Sequence, residues 1–414
     1  MTPRRRVASA LALGLALRAA YAVYGHGRGL VPTVCDGYET IALNLLERGE
    51  YALEPGKPTS LREPGYPLMI AAVYGLAGGR RPEWILALQV LLGSATLLFS
   101  WSIGRRLFGE VAAEWGLWAA ALYPPSVYYS AYFFRETLMA FLFTLVAWCS
   151  CRWSEPDSVA RAKSASFGAG AAAAALAITN SAMIPALLLA GIGLWRASPA
   201  AARTRRSALF LAPILAAVGL WSWRNFRLHG TFVAGSTHVG EEFYQALITP
   251  PEDLGTQRQA EINAADPVFQ RAAALPELEH NAVLLKAGGS FIASHPGLYA
   301  SRVAARAIKL WRIVPYRRRY EHAYWKLVCA SLLSDGWIVP LGFLGIWRFR
   351  KRWRTASAIP AGVIGVTAVY AALHAVIRYR VPLMPCVAVF AAAEARAIYE
   401  RARASGEQSR SAAS

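Results

Sequence analysis

Carboxylates and arginines recur in this chain in combinations that suit group transfer. Asp36-Gly37-Tyr38-Glu39 sets two acids one helical turn apart, and Arg62-Glu63 stands directly before Pro64-Gly65-Tyr66-Pro67. Glu136 follows Tyr132-Phe133-Phe134-Arg135, Arg224-Asn225 closes an apolar block, and Arg378-Tyr379-Arg380 precedes Val381-Pro382. An aspartate with an ordinary pKa of about 3.9 is ionised at neutral pH and can take a proton from an attacking hydroxyl or amine. An arginine presents a planar fork that matches a phosphate. A group leaving as a phosphate needs such a cation and needs no general acid. A positioned base beside phosphate-binding arginines is therefore what transfer from a phosphate carrier asks of a protein.

On this reading Asp36 is the base, while Glu136 and Glu63 shape the site that holds the transferred group and the acceptor. Arg378 and Arg380 hold the phosphate; an extended segment there would put both on one face, because strand side chains alternate. Arg62, Tyr66, Arg224 and Asn225 complete the substrate-binding set. A helix from Pro296 to Ile313 spaces Arg302, Arg306, Lys309 and Arg312 along one face, a second place for a phosphate. Each residue also has a plainer role open to it. Asp36 would cap the helix that follows, Glu136 would pair with Arg135, and the arginines would be interfacial anchors. No His or Cys pair stands at ligand spacing, so no metal site is assigned; the chemistry is compatible with a divalent cation and does not require one.

The elements that carry these residues are membrane spans. The 414-residue chain is 55% hydrophobic and only 17% charged, against about 25% charged in soluble domains. The apolar residues lie in long blocks, and about 20 in a row cross a bilayer as a helix. Ten spans are expected, near 7–24, 84–104, 111–128, 132–152, 165–180, 182–196, 207–224, 331–347, 357–375 and 380–397, each with a boundary error of about 2–4 residues. The first resembles a secretion signal, with Arg4-Arg5-Arg6 and an Ala20-Tyr21-Ala22 site, and is read here as an uncleaved span.

The net charge of +19 sits between the apolar blocks, where cytoplasmic loops hold it, so nucleic acid is not an expected partner. Alternating ten spans from a cytoplasmic N-terminus makes every inner loop basic, including the Arg152–Lys163 linker. Tyr66–Ala77 is too short to be counted and is read as an interfacial or re-entrant helix. Asp36, Glu63, Glu136, Arg224, Arg378 and Arg380 then share the outer face, where buried charge is costly and by default functional. Arg18 lies inside the first span and must face the bundle or snorkel outward. The expected organisation is an N-terminal catalytic core over 1–226 with a first outer loop at 25–83, an outer-face loop domain over 227–331, and C-terminal helices with a basic tail over 332–414. Cys35 and Cys329 could meet outside the membrane, though spacing alone argues little for a disulfide.

Taken in order, these segments resemble the GT-C superfamily of polyprenyl-phosphate-sugar-dependent glycosyltransferases. The branch they resemble holds protein O-mannosyltransferases and the lipid A aminoarabinose transferase. The segments are Asp36-Gly37-Tyr38 with Ile41–Leu45, Arg62–Leu68, Tyr123–Ser126 through Glu136-Thr137-Leu138, Trp223–Phe226 with Gly230-Thr231-Phe232, Ser294-His295-Pro296 and Arg378–Pro382. The resemblance implies juxtamembrane helices in the first outer loop, a catalytic Asp36, a second acid at Glu136, a cavity for a lipid phosphate and inversion at the anomeric carbon. It implies a polyprenyl-phosphate sugar donor, a glycan, lipid or protein acceptor, and an inner- or plasma-membrane location with the site facing out. One departure stands out: relatives often carry Arg-Pro where this chain has Asn180-Ser181. The rival readings are a carrier of lipid-linked sugars, which would show inverted repeats and broken spans, and a non-catalytic assembly subunit of the cell envelope.

Overall fold

The computed structural model describes residues 2–29, 35–153, 159–317 and 323–413. The chain is a polytopic all-α membrane protein. Its helices are α1 (Pro3–Gly27), α2 (Tyr38–Arg48), α3 (Gly65–Leu76), α4 (Pro82–Phe108), α5 (Glu110–Ala121), α6 (Pro124–Tyr129) and α7 (Glu136–Ser150). They continue with α8 (Val159–Thr179), α9 (Ile184–Ala197), α10 (Arg203–His229), α11 (Val239–Ile248), α12 (Gln257–Ala265) and α13 (Pro267–Ala273). The last six are α14 (Glu277–Ser294), α15 (Pro296–Leu310), α16 (Tyr324–Leu333), α17 (Asp335–Arg348), α18 (Ala358–Ala372) and α19 (Met384–Ala413). One antiparallel hairpin, β1 (Ala52–Glu54) with β2 (Lys57–Pro58), interrupts them.

Among the described residues, five helical stretches are long and apolar enough to cross a membrane: Pro3–Gly27, Pro82–Phe108, Ala200–His229, Tyr324–Thr355 and Ile377–Ser405. Gly65–Leu76, Glu136–Ser150, Ser181–Ala197 and Ala358–Ala372 are shorter apolar helices. At 1.5 Å per residue a 12-residue helix such as α3 covers about 18 Å, well short of a ~30 Å hydrocarbon core. The expected span at 111–128 breaks between α5 and α6, where Pro124 and Pro125 start a new helix. The linker residues 154–158 lie outside those described.

The bundle core joins α4, α5, α7, α8, α9, α10 and α17 to α19 around Phe143, Phe210, Phe390 and Trp153. Small residues let these backbones approach, as membrane interfaces need when no water drives the packing. A Cβ on Gly365 would come within 2.6 Å of the Ala186 Cα. Cations collect at one end of the bundle. There Arg6 pairs with Glu114 at 2.6 Å, Arg106 donates to the Cys151 carbonyl at 2.9 Å, Arg206 to the Trp153 carbonyl at 2.9 Å, and Arg348 pairs with Glu394. The opposite end carries α2, α3, the hairpin and α11 to α15; there too lie the Cys35–Gly37 turn, the start of α7 at Glu136, the end of α10 and the turn over Ile377–Leu383, which bring Asp36, Glu136, Arg224 and Arg378. Cys329 is an exposed free thiol, so it makes no disulfide with Cys35, whose side chain lies outside the described residues.

Candidate functional site

Asp36 does not act as a helix cap. It sits in a 3₁₀ turn (Cys35–Gly37) with φ 59° and ψ 9°, and α2 starts beyond it, with Gly37 as its N-cap and no side-chain cap hydrogen bond. It is the one non-glycine residue with positive φ among the described residues. A left-handed backbone at such a residue costs on the order of 1–3 kcal/mol and persists only where the surroundings impose it, most often at functional sites. The consequence here is that the exposed carboxylate points at two guanidiniums. Oδ1 lies 3.9 Å from Arg62 and Oδ2 lies 4.0 Å from Arg378. Arg62 Nε also donates to the Asp36 carbonyl at 2.9 Å and stands over the Tyr38 ring at 6.0 Å. Burial pushes the Tyr38 hydroxyl up to about 12, so that residue stays a neutral wall and cannot serve as a base at neutral pH.

Glu136 opens α7 and is buried, at 3% exposure. Its Oε1 lies 3.0 Å from Arg378 Nε. Arg378 thus stands between the two acids that the sequence singles out, packed over the Phe134 ring at 4.8 Å. This is the centre of the site: one exposed acid, one buried acid and a shared guanidinium, with Arg62 on the far side of Asp36. For a divalent cation Asp36 and Glu136 would be the natural oxygen donors, yet the position between them is taken by Arg378. Among the described residues no group of three His, Cys, Asp or Glu side chains is arranged to hold a metal.

Glu63 belongs to the frame around this centre. It pairs with Arg135 at 2.9 Å and accepts from Ser181 N at 3.2 Å and Ser181 Oγ at 2.7 Å. The plainer expectation that Arg135 serves Glu136 is replaced by this cross-loop pair. Asn180 and Ser181 are tied into the same frame. Asn180 Oδ1 accepts from Ala182 N, its Nδ2 donates to Tyr370 Oη at 2.7 Å, and Ser181 anchors Glu63. Gly65 lets the loop press on α8, since a Cβ there would stand 2.8 Å from Thr179 backbone atoms. Tyr66 is fully buried, donates to Gln89 at 2.9 Å and meets Tyr38 edge to face at 5.2 Å.

Three of the expected residues, and the basic face of α15, lie away from this centre. Arg380 is not brought to the centre: residues 377–383 form a 3₁₀ helix, in which residues two apart face different ways, so the extended geometry that would have joined it to Arg378 is absent. Arg380 is instead fully buried, paired with Asp335 at 2.6 Å, and donates to the Leu310 and Arg312 carbonyls. Arg224 donates to the Thr59 carbonyl at 2.7 Å and to Ser60 Oγ at 3.0 Å, and Asn225 is buried against Ser60 and Val233. These two residues pin the hairpin loop and do not reach the centre. The basic face of α15 is also committed: Arg306 donates to the Ala371, Ala246 and Ala372 carbonyls, closing the C-terminal end of α18, and Lys309 donates to the Pro251 carbonyl.

The Arg380–Asp335 pair gives a direct test of that structural role. Removing one partner of a buried ion pair costs about 3–5 kcal/mol, whereas replacing both by apolar residues is often neutral. Arg380→Met should therefore lower the thermal midpoint in detergent sharply, and Arg380→Met with Asp335→Leu should recover most of it. Equal destabilisation in the single and double variants would assign Arg380 a different role.

Sequence reasoning missed Asp335, Tyr123 and Glu277. Tyr123 donates to Asp335 at 2.9 Å, and Glu277 accepts from Thr59 and Thr237 at 2.5 Å and from Ser60 N at 2.9 Å. Each contact joins residues far apart in sequence, so spacing carries no trace of it.

No protein-family model and no curated protein sequence matches the chain. Solved structures do. The apo oligosaccharyltransferase of Archaeoglobus fulgidus superposes with a TM-score of 0.54 at 12% identity, over 95% of this chain and 51% of that one. AglB from the same organism, in complex with an inhibitory peptide and a dolichol-phosphate, superposes at 0.51 and 12% identity over 99% and 52%. ArnT from Cupriavidus metallidurans bound to undecaprenyl phosphate is 17% identical over 92% and 77%, at a TM-score of 0.44. The likeness to the oligosaccharyltransferases is one of fold, and this chain spans about half of their length.

Proposed function

We propose that this chain is a membrane glycosyltransferase that moves a sugar from a polyprenyl-phosphate donor to an acceptor at the outer face, inverting the anomeric centre in a single displacement. The observation that carries the reading is Asp36: an exposed carboxylate, held in a left-handed backbone against Arg62 and Arg378. Asp36 takes the proton as an acceptor hydroxyl or amine attacks the anomeric carbon. The new bond to carbon forms as the bond to the phosphate oxygen breaks, and that electron pair leaves with the lipid phosphate. Arg378 meets the growing charge, an interaction stronger in the transition state than before it. A guanidinium carries five N–H donors, and the two carboxylates face only its Nε and one terminal nitrogen, which leaves donors for a phosphate oxygen. The dolichol-phosphate bound by AglB, which shares the fold, supports a donor of this chemical kind.

Turnover of a polyprenyl-phosphoryl sugar by purified protein in nanodiscs tests the reading. Transport without transfer would favour a lipid-linked-sugar carrier, and no turnover with any donor would favour an assembly subunit. The outer-face placement has its own test. In a background lacking Cys35 and the exposed Cys329, single cysteines at Lys57 and Gln257 should react with an impermeant thiol reagent from outside, and one at Lys351 should not. Labelling confined to Lys351 would put the site on the inner face.

A further inference from the structure

Directly behind Glu136, a small cleft of about 20 Å³, room for a water-sized polar group, lies between α1, α4, α6, α7 and the start of α19. Its polar lining is Arg18, Thr96, Ser126, Tyr129, Glu136 and Thr137. Arg18 is 2% exposed; one terminal nitrogen donates to the Gly14 carbonyl at 2.9 Å and the Ala121 carbonyl at 3.4 Å. Its Nε is buried without a hydrogen-bond partner, and so are Glu136 Oε2 and Ser126 Oγ. Gly93 keeps room for this arginine, because a Cβ there would stand 2.9 Å from Nε. Buried polar atoms in folded proteins almost always find partners. Here three atoms without one line a single cleft inside the membrane bundle, where an unsatisfied polar atom is especially costly. That combination marks a place built for a polar ligand.

The three atoms also define what the ligand must offer. Glu136 Oε2 can only accept, Arg18 Nε can only donate, and Ser126 Oγ can do either. A phosphate oxygen brings no donor and would face the carboxylate. An ammonium would face the Arg18 and Arg378 guanidiniums. A hydroxyl accepts from Arg18 and donates to Glu136 at once. The acceptor is placed elsewhere, since its nucleophile must lie at Asp36, on the other side of Arg378.

Resting on the reading under Proposed function, we propose that this small cleft receives one hydroxyl group of the transferred sugar and selects a neutral sugar over an amino sugar. The test measures binding in nanodiscs of four lipids: bare polyprenyl phosphate, its gluco- and manno-hexosyl forms, and its 4-amino-4-deoxypentosyl form. The parent should bind a neutral hexosyl lipid about tenfold or more tighter than the amino form. Ser126→Ala should weaken the hexosyl lipid several-fold and leave the bare lipid unchanged. Arg18→Gln should narrow the preference against the amino sugar. Should Arg18→Gln fail to fold, the smaller Ser126→Ala change decides. Equal binding of amino and neutral forms by the parent overturns the proposal. So do variants that leave hexosyl-lipid binding at the parent level or weaken all four lipids alike, the result expected if the cleft only stores water. Failure of every lipid to bind would overturn the glycosyltransferase reading together with this one, whereas lipid binding without sugar dependence would overturn this one alone.

Discussion

Asp36→Asn should lower turnover by a factor of about 10²–10⁴, the usual worth of a positioned general base, while donor affinity should stay near the parent value. The replacement preserves shape, and asparagine is among the residues that tolerate a left-handed backbone, so the 3₁₀ turn at Cys35–Gly37 should survive. What is lost is the charge facing Arg62 and Arg378. Asp36 is half-exposed and its ion pairs are long, so the change in stability should be small. Kinetics in nanodiscs with a saturating acceptor separate the two effects, because loss of a base lowers kcat and leaves the donor binding constant alone. Parent-level turnover in a folded Asp36→Asn protein would remove the residue from the mechanism and reduce its strained backbone to a feature of loop geometry.

Arg378 carries the other large effect, and it has two parts that one variant cannot separate. Arg378→Ala removes the cation between Asp36 and Glu136, leaving Glu136 buried and unpaired. That alone should cost about 3–5 kcal/mol of stability. Loss of a preorganised cation aimed at a leaving phosphate should separately lower turnover by about 10²–10³. Combining Arg378→Ala with Glu136→Gln removes the unpaired charge, so the double variant should regain much of its thermal midpoint. Its turnover should stay low. A stable double variant with parent-level turnover would mean that Arg378 serves only to neutralise Glu136. Arg378→Lys should fall between, because an ammonium keeps the charge and cannot present a fork to two carboxylates about a guanidinium apart.

Much of this arrangement is legible in the chain before any coordinates. Apolar blocks of the right length and basic clusters between them specify a polytopic helical protein, because a bilayer admits few other solutions. The clustering of Arg6, Arg106, Arg206 and Arg348 at one end of the bundle follows the alternation that loop charges predict. Asp36, Arg62, Glu136 and Arg378 were also identifiable as a group, since acids and arginines beside apolar blocks are costly unless used.

Their division of labour was not legible, because it depends on backbone geometry that residue types leave open. Arg378 and Arg380 are one residue apart and look equivalent, yet a 3₁₀ turn sends one to Glu136 and the other to Asp335. Glu63 and Glu136 both neighbour an arginine in sequence, and each takes its ion-pair partner from a distant element, Arg135 and Arg378 respectively. The three cations of α15, Arg302, Arg306 and Lys309, share a face, as their spacing requires, but that face meets backbone carbonyls of other segments, so Arg306 and Lys309 satisfy backbone. Sequence by itself determined the class of fold and which residues could carry charge beside the membrane, because hydropathy and ionisation are properties of single side chains. Which of those residues meet was decided by tertiary structure alone, because an ion pair forms only where the packing of separate helices brings two charges within about 4 Å of each other.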